Sequence, residues 1–145
     1  MIALGSDHGG LDLKAVVKEF LTERGISFED CGTYTGVSVD YPDFGEKVAQ
    51  MVSLGQVEKG ILVCGTGIGM SIVANKHNGV RAAECTSEAG AELARKHNDA
   101  NILCFGERLV SWETAEAMIQ KFLTTPFEEG RHTERVNKIH RLTGC

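Results

Sequence analysis

Gly60-Ile61-Leu62-Val63-Cys64 is an uninterrupted apolar run that passes directly into Gly65-Thr66-Gly67-Ile68-Gly69. A run this short and this apolar reads as a strand buried on both faces, which is the habit of a parallel sheet. An amphipathic segment follows the glycines to about Lys76, so the local unit is strand, glycine loop, helix. The rest of the chain repeats this alternation. Met1 to Gly5 reads as a first strand, and Leu13, Val16, Val17, Phe20 and Leu21 then recur at helical spacing before a stop at Gly25. Ile26 to Asp30 alternates like an edge strand, and residues 32 to 41 read as a loop. Pro42 suits the first turn of a helix carrying Phe44, Val48, Met51 and Val52 inward, with Gly55 as its stop. Val80 to Glu84 is a fourth strand, followed by a helix capped by Thr86 or Ser87. Ile102 to Phe105 is a fifth strand, Ser111 caps the next helix, and a last helix runs from about Thr133 to Leu142.

Five strands, each followed by a helix or crossover, imply an α/β fold with a parallel sheet covered on both faces. The 145 residues fit one domain, 1–145, without linker or repeat. A net charge of −5 argues against non-specific nucleic-acid binding, which needs an excess of Lys and Arg. No segment approaches the roughly 20 apolar residues of a membrane helix, and the N-terminus carries no leader. Cys31, Cys64, Cys85, Cys104 and Cys145 are odd in number and contain no CxxC, which favours free thiols in a reducing, cytoplasmic setting.

Ligands of such sheets sit beyond the carboxyl ends of the strands. Three alternating glycines at Gly65, Gly67 and Gly69 let the backbone approach a ligand and aim several N–H groups at one point, which suits an anion. The loop lacks the lysine of a P-loop and follows the third strand, unlike a dinucleotide fingerprint. Cys64 opens the loop, where a thiolate is favoured as base or nucleophile; a cysteine ending an apolar strand is otherwise a small hydrophobe. Asp7 and His8, ahead of Gly9 and Gly10, suit sugar hydroxyls or acid–base work, although Asp7 equally suits a helix cap. His97 ends the fourth helix, either as a proton donor or as a dipole partner. Arg131 and Arg135 share a helix face that suits a phosphate or is simply solvated, and Arg108 follows the fifth strand. His8, His77, His97, His132 and His140 are scattered without metal-ligand spacing, so neither metal nor cofactor is expected.

Five motifs in order resemble the ribose 5-phosphate isomerase B family, which includes the galactose 6-phosphate isomerase subunits. They are Gly5 to Gly10, Asp40-Tyr41-Pro42, Cys64 to Ser71 with Ala74-Asn75-Lys76, His97 to Asn101, and Gly130-Arg131-His132 with Arg135-Val136. The resemblance spans essentially the whole chain. It implies a Rossmann-like three-layer α/β/α fold with a C-terminal helix, and a homodimer or dimer of dimers with sites between subunits. It also implies aldose–ketose isomerisation through an enediolate, within the pentose phosphate pathway. By the same resemblance Cys64 takes the C2 proton, His97 opens the sugar ring and Thr66 moves protons between oxygens. The amides of Gly65, Thr66, Gly67, Ile68 and Gly69 hold the enediolate, and Asp7, His8, Asn98 and Arg108 bind substrate. Arg131 and Arg135 take the phosphate, and Tyr41 is a candidate for substrate contact. Met70 stands where one branch of the family has an acidic base, which places the chain in the cysteine branch. A six-carbon sugar phosphate (allose or galactose 6-phosphate) or a rare free sugar remains an alternative substrate. A flavodoxin-like nucleotide-binding module and a redox-sensing thiol protein are alternatives of other classes, the latter lacking a resolving cysteine near Cys64.

Overall fold

The computed structural model describes all 145 residues. Strand β1 (Ile2–Ser6) leads through a 3-10 turn (His8–Gly10) into α1 (Leu11–Glu23), then β2 (Phe28–Asp30), α2 (Tyr41–Ser53) and β3 (Lys59–Cys64). Then follow α3 (Ile68–Ala74), β4 (Ala82–Glu84), α4 (Glu88–Asn98), β5 (Ile102–Gly106), α5 (Trp112–Thr124) and α6 (Arg131–Thr143). The strands are all parallel, in the order β2-β1-β3-β5-β4. The expected five-stranded α/β/α fold is therefore the one present.

The pleat sends alternate side chains into two cores. Leu4, Ile61, Val63, Leu103 and Phe105 pack under α1, α4 and α5. Ala3, Leu62, Cys64, Ile102 and Cys104 face the other way, against α2 and α3. The three inner strands are buried except at Lys59, the first residue of β3, while β2 and β4 are three-residue edge strands.

Both edge strands are shorter than the apolar pattern suggests, because neighbouring turns capture their backbone groups. Ile26 N–H donates back to Leu21, Val80 N–H donates to His77, and Arg81 N–H donates to the Asn101 side chain. Helix α3 stops at Ala74, where the Asn75 amide bonds both backbone groups of Ala82. Helix α6 starts two residues early, at Arg131, after a positive-φ pair at Glu129 and Gly130. No helix is long and apolar enough to cross a membrane.

Candidate active site

At the carboxyl ends of β1, β3 and β5 three loops close on one cleft of about 500 Å³. Its walls include Asp7, His8, Tyr41, Cys64, Gly65, Thr66, Ile68, Gly69 and Arg108. Glycine makes the approach of these loops possible. Gly67 has φ of +84°, and a Cβ there would lie 2.6 Å from the Phe105 backbone. A side chain at Gly106 would collide with the Gly65–Thr66 backbone.

The loop sorts its own amides. Gly67 N–H donates to Cys64 Sγ at 3.0 Å, and Ile68 N–H donates to Thr66 Oγ1 at 3.2 Å. The N–H groups of Gly65, Thr66 and Gly69 have no acceptor within the chain, so they are the donors free for a ligand anion. Cys64 itself is 6% exposed, and its sulfur accepts from the Gly67 N–H. Among the other buried thiols, burial pushes Cys85 up to about 11, and burial with nearby Cys64 pushes Cys104 well above the usual thiol range.

Asp7 caps a turn and also faces the cleft. Its Oδ1 accepts from Gly10 N–H at 3.1 Å, capping the 3-10 turn, while the residue also lines the cleft. His8 Nδ1 accepts from Val39 N–H at 3.1 Å, so a neutral His8 carries its proton on Nε2. The Tyr41 ring covers Gly69, where a Cβ would come within 2.5 Å of it. Arg108 has no carboxylate partner, and its side chain lies over Gly65.

Glu107 ties the wall of the cleft to α1, a contact that the sequence does not announce. Its N–H donates to the Cys64 carbonyl and the next N–H, of Arg108, to Gly65. Its carboxylate accepts from Leu13 N–H, 94 residues away, at the start of α1. The pattern offers no signal for it, because the bond joins segments that only the sheet brings together.

His97, Asn98, Arg131 and Arg135 do not join Cys64. They gather around the carboxyl end of α4 and the start of α6, and Asn98 lines a separate groove of about 610 Å³ with Asn75, Lys76 and His140. His97 stacks on His132, with ring centroids 4.4 Å apart. Arg131 and Arg135 are exposed and form no ion pair, unlike Arg81, Arg95 and Arg141. The candidate residues of one chain thus fall into two groups, two candidate half-sites: Cys64 with the unpaired amides of its loop, and His97 with two unpaired guanidinium groups.

This architecture defines a class: a parallel α/β enzyme with a thiol and an anion cradle at the strand ends. Within that class the chain belongs to the ribose/galactose isomerase family, whose model matches residues 2–139, and it is an isomerase. It is 45% identical over 138 residues to the ribose-5-phosphate isomerase B of Escherichia coli strain K12, covering 95% of this chain and 93% of that protein. It is 40% identical over 139 residues to the D-erythrulose-4-phosphate isomerase of Pectobacterium atrosepticum, covering 95% and 91%. The solved ribose-5-phosphate isomerase B of Clostridium thermocellum superposes with a TM-score of 0.96 at 49% identity, covering 99% of this chain and 97% of that one.

Proposed function

We propose that this chain is a metal-independent aldose–ketose isomerase that interconverts ribose 5-phosphate and ribulose 5-phosphate. The observation carrying the mechanism is the Cys64 sulfur, held by Gly67 N–H at 3.0 Å beside three unused backbone donors. The α-proton of a sugar is weakly acidic, so most of the acceleration must come from stabilising the enediolate. Cys64 Sγ takes the proton from C2 as the C1 carbonyl becomes an enediolate oxygen, and the amides of Gly65, Thr66 and Gly69 receive that charge. The Thr66 hydroxyl accepts from Ile68 N–H, which leaves its own proton to pass between O2 and O1. Cys64 returns its proton to C1, completing the ketose. His97 opens the ring, Asp7 and His8 hold hydroxyls, and Asn98 orients the chain of the sugar. Arg108, Arg131 and Arg135 bind the phosphate, which fixes C1 and C2 from a distance.

The two half-sites require assembly. In a homodimer, or dimer of dimers, the His97 set of one protomer completes the Cys64 cleft of the other. The isomerase acts as a single domain, 1–145, in the cytoplasm and without a cofactor. Relatives bear names for four- and five-carbon substrates, and the E. coli and P. atrosepticum proteins are nearly equally distant from this chain. The substrate therefore needs a direct assay against four-, five- and six-carbon sugar phosphates.

The test is interconversion of ribose 5-phosphate by the purified chain without added metal, beside Cys64→Ala. The expected loss in the variant is about a thousandfold, the scale of an essential acid–base group. Undiminished activity in Cys64→Ala removes the base. Activity confined to a four- or six-carbon sugar keeps the chemistry and changes the substrate.

A further inference from the structure

His97, Glu128 and His132 come from three separate segments, yet one ligand atom of each lies within 4.8 Å of the others. His97 stands in the last turn of α4 and His132 in the first turn of α6. Glu128 belongs to the connection between α5 and α6, and its N–H donates to the Lys96 carbonyl at 3.1 Å, which ties that connection to α4. His132 Nε2 lies 3.7 Å from a Glu128 carboxylate oxygen.

We propose that these three side chains bind a borderline transition-metal ion, Zn²⁺ first among them, and that the bound ion inhibits the enzyme by occupying His97. Two imidazoles and a carboxylate are a zinc donor set that leaves a fourth position open. The donors are available: the His97 ring makes no hydrogen bond within the chain, and Glu128 is the one polar side-chain partner of the His132 ring. A metal ligand must be neutral imidazole.

Two features oppose binding and set its strength. The rings stack at 14°, so their lone pairs lie in two nearly parallel planes, and the half-buried His97 must tilt to converge on an ion. Tetrahedral zinc with bonds of about 2.0–2.1 Å also draws its ligand atoms to about 3.3 Å apart, a contraction that the exposed Glu128 accommodates by rotation. Arg131 and Arg135 bring positive charge to His132, and Lys96, itself paired with Glu92 at 2.7 Å, adds more near Glu128. The expected dissociation constant is on the order of micromolar, far weaker than a structural zinc.

Binding does not depend on the proposed reaction; inhibition does, because it rests on His97 acting in catalysis. The test uses the full chain as wild type, Glu128→Gln and Cys64→Ala. It titrates each with ZnSO₄ by calorimetry and with CoCl₂ by visible absorption. The expected result is one ion per chain and a tetrahedral Co²⁺ spectrum in wild type and Cys64→Ala. Glu128→Gln should bind at least tenfold more weakly, with unchanged metal-free activity. Zinc inhibition of wild type should be reversed by EDTA, and its midpoint should shift in Glu128→Gln by the same factor as binding. Binding that survives Glu128→Gln but vanishes in Cys64→Ala would overturn the site, as would no binding below millimolar zinc. Binding as expected without inhibition overturns the inhibitory role alone. If the wild type proves inactive as an isomerase, calorimetry and the Co²⁺ spectrum still decide the site.

Discussion

The two half-sites are built by opposite means. The Cys64 cleft is made of backbone: three loops packed so closely that Gly10, Gly67, Gly69 and Gly106 have no room for a side chain. Its donors are amides whose directions are set once the sheet forms, so it is preorganised before any ligand arrives. The His97 region is made of side chains from α4, the α5–α6 connection and α6, two of them unpaired arginines on the surface. On the proposed mechanism, charge stabilisation, which needs rigidity, falls to the first, and ring opening and most of the phosphate binding, which tolerate adjustment, fall to the second. A chain holding both in one copy, yet apart, is suited to combine them with a second copy.

The sharpest way to break this comparison is to damage each half in a different chain. Cys64→Ala and His97→Ala homo-oligomers should each be nearly inactive on ribose 5-phosphate. In a heterodimer of the two, one composite site carries both lesions and the other carries none. Random remixing of equal amounts should therefore restore about a quarter of wild-type activity, a rise of two orders of magnitude or more over either parent. Coexpression with two affinity tags and an activity assay reads it directly. No recovery in a purified heterodimer would mean that His97 serves its own chain or serves no site at all.

The contrast also explains which parts were legible in advance. The cleft announced itself because backbone constraints are written as glycines after an apolar run, as in Gly65 to Gly69 behind β3. The sheet order was not legible: nothing local to Ile102–Gly106 says that β5 lies between β3 and β4. The contact of His97 with His132 was equally silent, because it joins residues 35 apart through the packing of α6 on α4. Glu107 is the same case inside the cleft. Its carboxylate acts on Leu13 N–H, and no spacing rule connects those positions.

Glu107 therefore offers a finer probe of how rigid the cleft is. Glu107→Ala removes the acceptor at the start of α1 and loosens the strap that carries Arg108 over Gly65. The expected result is a KM about tenfold higher, the equivalent of about 1.4 kcal/mol in binding, with kcat reduced less. Glu107→Gln keeps an acceptor oxygen and should recover most of the loss. A purely structural tie would lower the melting temperature of Glu107→Ala and leave KM untouched at temperatures where the variant is folded.

The smallest effect concerns the outer wall of the cleft, and it is read in stability rather than rate. Lys14 is almost wholly buried in α1. Its ammonium reaches Asp30 at 2.7 Å and also the Thr33 carbonyl, pinning the start of the loop that carries Val39 to His8 and Tyr41 to Gly69. Burial pulls the Asp30 carboxyl up, but Lys14, the Gly32 N–H and Lys18 together hold it below its ordinary value of 3.8. A carboxyl depressed in the folded state stabilises the fold above its unfolded value, and that stabilisation fades as pH falls through the folded value. Asp30 keeps some solvent contact, at 13% exposure, so screening limits the pair, and Asp30→Asn should cost about 1–2 kcal/mol at neutral pH. Denaturant unfolding should show this gap constant above about pH 5 and closing below 3.8. A gap that persists unchanged into acid would mean that the ion pair contributes nothing and that shape alone holds the wall. Because the Cys64 cradle is fixed by backbone contacts, kcat of Asp30→Asn at neutral pH should stay within a few-fold of wild type, whereas a large fall would tie the cradle to this loop.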